Sequence, residues 1–249
     1  MESNDSNIWF LGGFKLVNIM KGVRLSKGAR AGAVVVSFFA VIGLIIFAVF
    51  GYLRTSPPTV SASTSSTPGV VNLTMQTDGA VGVGPHPGWV GYFVQDANGG
   101  WHQTTLIQLP ANSDIHVTIY EYDSGGNLRN NYWSQVQGTT TGHIYVNGVA
   151  ESIVNPDSST GNGIAHSFNV PGLGINVPLY GVSGTAKNFC TSGPCNLSEA
   201  HTTVTFDFKT GGAGTFRWQC FVPCGLGFLN GNGGPMTSLG YMAGFLKVV

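Results

Sequence analysis

Two cysteines four positions apart, Cys220 and Cys224 in GTFRWQCFVPCG, and one histidine, His166 in GIAHSFNV, are the residues of this 249-residue chain best suited to chemistry. Two soft thiolates and one imidazole brought near each other suit copper. The same two cysteines can instead close on each other as a disulfide, and the residues alone leave both readings open. The other pair, Cys190 and Cys195, lies in the turn-rich loop FCTSGPCN with no histidine beside it. There a disulfide is the expected pairing, as for close cysteines in an exported domain. His86, His102, His116 and His143 are scattered and read as ordinary surface or core residues. The chain carries no H-x-H pair, no nucleophile elbow and no carboxylate pair in a recognisable setting. Independent catalysis is therefore not expected.

The elements that must position these residues are strands. After residue 70 no stretch shows helical apolar spacing over three turns; period-two alternation bounded by Gly, Pro, Asn and Ser recurs instead. Ile115, Val117 and Ile119 alternate with His116, Thr118 and Tyr120, and Val204, Phe206 and Phe208 with Thr203, Thr205 and Asp207. Ile164, His166, Phe168 and Val170 alternate along one strand, which turns His166 inward. Phe216, Trp218 and Cys220 share the face of another, and residues 245–249 form a last strand. Several short strands with turns between them predict an all-β sandwich or barrel.

Charge divides the chain. Only 9% of residues are charged and the formal net charge is zero, without the clustered Lys and Arg that nucleic-acid binding needs. Lys15, Lys21, Arg24, Lys27, Arg30 and Arg54 lie in the first 54 residues, whereas nine carboxylates, all but Glu2 and Asp5, lie beyond them. Residues 31–53, AGAVVVSFFAVIGLIIFAVFGYL, are 23 positions without a charge. About 20 apolar residues cross the roughly 30 Å hydrocarbon core, and a secretory signal has a shorter apolar region followed by a cleavage site. A retained transmembrane helix is expected. Five basic residues precede it, which predicts residues 1–30 as a cytoplasmic segment and the bulk of the chain outside the cell membrane. The apolar patch from Ile8 to Val17 reads as a short interfacial helix or a weakly ordered tail. Residues 54–70, rich in Ser, Thr and Pro, are expected as a stalk, and 71–249 as one folded domain. Sequons at Asn72 and Asn196 fit an external location. A surface in which Thr, Ser, Asn and Gly replace carboxylates fits an acidic exterior, where carboxylates lose their charge near pH 4.

The segments LIQLPANSDIHVTIYEYDSG, IAHSFNVPGLGINV, HTTVTFDFKTGGAGTFRWQC and GYMAGFLKVV together resemble the cupredoxin family, and within it the outer domain of cytochrome oxidase subunit II. The resemblance covers residues 101–249 and implies a cupredoxin-like Greek-key β-sandwich preceded by one transmembrane helix. It implies a copper site of His166, from H-[ST]-F, and Cys220, from F-x-W-x-C, with Cys224 in the C-x3-C spacing of the binuclear centre. The backbone carbonyl of Val222 would lie between the cysteines, and Met242 stands where the axial methionine is expected, with Met236 as a second candidate. The chain departs from the family at Phe228 and Gly231, where the binuclear pattern has His and Met. Cys224 and Gly225 stand where the mononuclear pattern has Gly and His. No histidine follows His201, which is the one other imidazole to consider. The family likeness implies one-electron transfer at the outer membrane face, with respiratory membrane subunits or a redox protein as partners. The alternative is a metal-free structural or binding subunit with a Cys220–Cys224 disulfide.

Overall fold

Where apolar and polar residues alternate most strictly, the inward face closes completely: Ile115, Val117, Ile119, Val204, Phe206 and Phe208 are all at most 1% exposed. The computed structural model describes residues 26–52, 56–128, 130–154, 163–224 and 234–249. The expected cytoplasmic patch around residues 8–17, the positions of Arg54 and Arg129, and the departures at Gly225, Phe228 and Gly231 lie outside the described residues.

The chain divides into two units, residues 1–55 and 56–249. In the first, α1 (Lys27–Phe47) runs on into a wider turn at Ala48–Tyr52. The helix begins four residues before the apolar run because Ser26 caps it, its side chain accepting the Ala29 N–H at 3.2 Å. Lys27–Gly51 is long and apolar enough to cross a bilayer, and no part of its apolar window is buried. Among the described residues it is the one such helix.

Among its described residues the second unit holds fourteen strands: β1 (Thr59–Ser61), β2 (Ser63–Thr64), β3 (Val70–Asp78), β4 (Gly91–Gln95), β5 (Trp101–Gln103), β6 (Leu106–Leu109), β7 (Asp114–Glu121), β8 (Ile144–Val146), β9 (Val149–Glu151), β10 (Ile164–Val170), β11 (Ile175–Tyr180), β12 (Thr202–Lys209), β13 (Gly214–Gln219) and β14 (Ala243–Val248). One sheet has the order β1-β6-β14-β13-β10-β11; the other runs β5-β4-β3-β7-β12-β8-β9, with β2 against β3. The chain crosses between sheets after β1, β5, β6, β9, β11 and β12, so strands distant in sequence become neighbours. β3 and β7 pair in parallel, as do β6 and β14, while β7 and β12 are antiparallel over eight residues. The expected all-β sandwich with a single preceding helix is the architecture present.

Two readings change. Residues 59–64 fall inside the stretch expected as an unpaired stalk, yet β1 pairs with β6 and β2 with β3. Val60, only 5% exposed, supplies the apolar anchor that a Ser/Thr-rich edge strand needs. The sequon residue Asn72 lies within β3, paired on both sides, whereas Asn196 is exposed.

Between the sheets lies one core built around Trp218, which is fully buried and meets Tyr92 edge-on at 4.9 Å and Phe168 at 5.1 Å. Its indole N–H is satisfied by the Thr105 carbonyl at 3.0 Å, as a buried indole requires. β10 is buried along its whole length and carries an irregularity between Ile164 and His166. That bulge re-aims the side chains that follow it. β10 and β13 thus present His166 and Cys220 at the same end of the core.

Candidate metal centre

Cys220 follows the last residue of β13, and its N–H is held by the Met242 carbonyl at 2.9 Å. The chain then turns sharply. The carbonyl of Val222 lies 3.4 Å from Sγ of Cys220 and accepts the Cys224 thiol at 2.9 Å. The turn folds the two sulfurs to 3.3 Å from each other, both cysteines being free and buried. Nδ1 of His166 stands 3.0 Å from Sγ of Cys224. One donor atom from each of His166, Cys220 and Cys224 lies within 4.8 Å of the others, with all three residues buried. Of these expected ligands, His166 is therefore brought to the two cysteines from 58 positions before Cys224. Met242 is fully buried in the same core cluster and tied to Cys220 through its backbone; Met236 is 5% exposed and belongs to that cluster too.

His201 is not among the clustered donors. Its ring packs against Tyr120 and Tyr122, and Nδ1–H donates to the Glu199 carbonyl at 2.8 Å. His102 and His116 pair with Asp96 and Asp207, each at 2.7 Å, and His86 stacks on Trp89. The expected disulfide between Cys190 and Cys195 is formed, with Cα atoms 5.8 Å apart.

Several residues around the centre were not picked out by motif. Ser167 donates its hydroxyl toward Cys220 Sγ at 3.7 Å while accepting the Phe221 N–H at 2.9 Å and the Asn169 amide at 2.7 Å. On the other edge of the imidazole, Nε2 of His166 lies 3.3 Å from Asp123 Oδ2 and 4.0 Å from Glu121 Oε1. Glu121 is fully buried and accepts the Thr77 hydroxyl and the Asp123 backbone N–H, the latter at 2.9 Å. Strand parity pointed to it, since Glu121 continues the inward series Ile115, Val117, Ile119. Trp133 stacks on Phe221 with ring centroids 4.7 Å apart. With Asp123, Asn130, His166 and Cys224 these rings line a cleft of about 670 Å³ that opens onto the centre.

The electrostatics follow from this packing. Burial pushes the Cys220 thiol up, but its hydrogen bonds from Cys224 and His166 outweigh that and hold it well below the usual thiol range. Cys224 is driven the other way, first by its bond to Cys220 and then by burial. Burial disfavours a charged His166, yet Glu121, Asp123 and Cys220 together favour the imidazolium. Burial is also the main reason Glu121 is raised to about 8.

The residues fit a soft, thiophilic ion such as copper. Two sulfurs and one imidazole nitrogen converge in a buried site, a backbone carbonyl faces both sulfurs, and the far ring nitrogen has carboxylates behind it.

No protein-family model matches the chain, and no curated protein matches it in sequence. Among solved structures, a chain of a heme-copper terminal oxidase dimer overlaps 89% of this chain and 98% of its own length, at 12% identity and a TM-score of 0.32. Rusticyanin from Thiobacillus ferrooxidans overlaps 79% of this chain and 85% of its own, at 13% identity and a TM-score of 0.32. Reduced rusticyanin gives 79% and 87%, at 13% identity and a TM-score of 0.31. The strand pairing, rather than these overlaps, defines the fold: a two-sheet all-β sandwich, with one apolar helix before it among the described residues.

Proposed function

We propose that this chain is a membrane-tethered copper protein that passes single electrons at the outer face of the cell membrane, alone or as a subunit II-like component of a respiratory assembly. The observation that carries the reading is the convergence of His166, Cys220 and Cys224 in one buried cluster. His166 and the two cysteines would hold the ion, with Met242 as the further expected ligand. Bound copper would supply one-electron redox chemistry. The chain's own residues supply the rest. Cys220 is already favoured as a thiolate, Asp123 faces the His166 N–H, and both cysteines are buried. The basic residues before the apolar helix orient the N-terminus inward and the sandwich outward.

The test is potentiometry on the full chain in detergent micelles after copper loading. The reading expects a thiolate-to-copper absorption band that bleaches and returns in one-electron steps. A protein that takes up no copper and develops no band would overturn it. Co-purification with haem-bearing membrane subunits would distinguish an oxidase component from a free-standing carrier.

A further inference from the structure

The side of His166 facing away from the sulfurs is built from residues that a copper pattern does not include. The ring is 2% exposed and its Nε2 is a buried polar atom that makes no hydrogen bond in this structure, so the nearest acceptors decide its orientation. The groups within reach are the carboxylates of Asp123, at 3.3 Å, and Glu121, at 4.0 Å. Asp123 sits in the turn just past β7, and two contacts fix it there. Its backbone N–H donates to Glu121 Oε1 at 2.9 Å, and its own Oδ1 accepts the Ser124 N–H at 2.7 Å. Glu121 is in turn pinned by the Thr77 hydroxyl from β3, the strand paired in parallel with β7 at that position. A chain of contacts thus runs from Thr77 through Glu121 and Asp123 to Nε2, and across the ring from Nδ1 to the sulfurs.

A fully buried carboxylate is costly to a fold, because its water shell is only partly replaced. Glu121 occupies an inward position in a series otherwise filled by Ile and Val, where a leucine-sized apolar residue would pack without that cost. Its two accepted hydrogen bonds hold the carboxyl in place but do not explain why a carboxyl is there.

We propose that Glu121 is a positioning residue for the metal centre. It fixes the Asp123 backbone so that the Asp123 carboxylate holds the Nε2–H of His166, and this aims the Nδ1 lone pair at the site shared by Cys220 and Cys224. The inference rests on the copper reading above and adds residues that are not ligands. Outer partners of this kind typically change metal affinity by about 10–100-fold when removed.

The experiment uses the full chain in detergent micelles, as wild type, Glu121→Leu and Asp123→Asn, with two readouts. The first is cuprous-ion affinity, measured by competition with a chromophoric chelator. The second is thermal stability of the metal-free protein. Glu121→Leu is expected to weaken copper binding by about 10–100-fold while the metal-free protein melts no lower than wild type, because a desolvated carboxyl gives way to an apolar side chain among Ile and Val. Asp123→Asn is expected to weaken binding in the same range, with the nitrogen-15 signals of His166 in the copper-loaded protein showing Nε2–H no longer held. A purely structural role would give the opposite pattern, a lower melting temperature with affinity intact. That result, or equal affinity in all three proteins, overturns the inference and leaves the copper reading standing. Absence of binding by the wild type overturns the copper reading and this inference with it.

Discussion

His166 stands edge-on between two kinds of partner, with Nδ1 3.0 Å from the Cys224 sulfur and Nε2 3.3 Å from the Asp123 carboxylate. Soft donors gather on one side of the ring and hard acceptors on the other. The imidazole therefore marks the boundary between a ligand cluster and the groups that orient it.

Asp78 makes the stability of the domain depend on pH. It ends β3 beneath the Cys190–Cys195 loop, both carboxyl oxygens are buried without a hydrogen-bond partner, and its pKa is raised to about 8, chiefly by burial and then by the charge of Glu199. The folded state thus keeps a proton that the unfolded chain releases near pH 4, and stability falls as pH rises from about 4 to about 8 before levelling off. Asp78→Asn should flatten this slope and leave the protein more stable at pH 8 by a few kcal/mol, since each pH unit separating the folded and unfolded titrations is worth about 1.4 kcal/mol. Melting temperatures measured at pH 4, 6 and 8 would check it; parallel profiles for the two proteins would refute it.

Gly193 is pressed onto that same carboxyl. A Cβ at Gly193 would overlap Asp78 Oδ2 and crowd the Phe93 ring. Gly193→Ala should cost about 1–3 kcal/mol, the usual range for overpacking, read as a drop in the denaturation midpoint.

Removing the disulfide that staples this loop tests how far the loop depends on it. The ring it closes is short, so replacing both Cys190 and Cys195 by Ala should cost about 2 kcal/mol at most. Copper uptake should be unchanged, because neither residue is part of the His166 cluster.

Trp133 and Phe221 wall the cleft beside Cys224. Trp133→Ala should speed alkylation of Cys224 in the metal-free protein several-fold at constant pH, since reactivity follows access as well as thiolate character. Mass spectrometry of the modified peptides would separate Cys224 from Cys220; an unchanged rate would mean the stack does not shield the thiol.

The sandwich was readable because burial follows strand parity: the alternating series at 115–119, 204–208 and 216–220 each name an inward face from the sequence alone. The same parity placed His166 and Cys220 inside, though not the bulge in β10 that sets the aim of the residues after it. The first strands were hidden because Val60 is a lone apolar anchor in a run of Ser, Thr and Pro, and composition there resembles a linker. Glu121 was readable in principle as a carboxylate in an apolar series. Asp123 and Trp133 were not, because a turn and a one-turn 3-10 helix, respectively, take their course from contacts with strands remote in sequence.

The most direct measurement is the copper-to-protein ratio of the full chain purified under mild oxidation, set beside Cys220→Ser and His166→Ala. Stoichiometric copper is expected in the wild type, with its loss in Cys220→Ser and strongly reduced content in His166→Ala. A metal-free wild type in which non-reducing peptide mapping finds Cys220 bonded to Cys224 would contradict the copper centre.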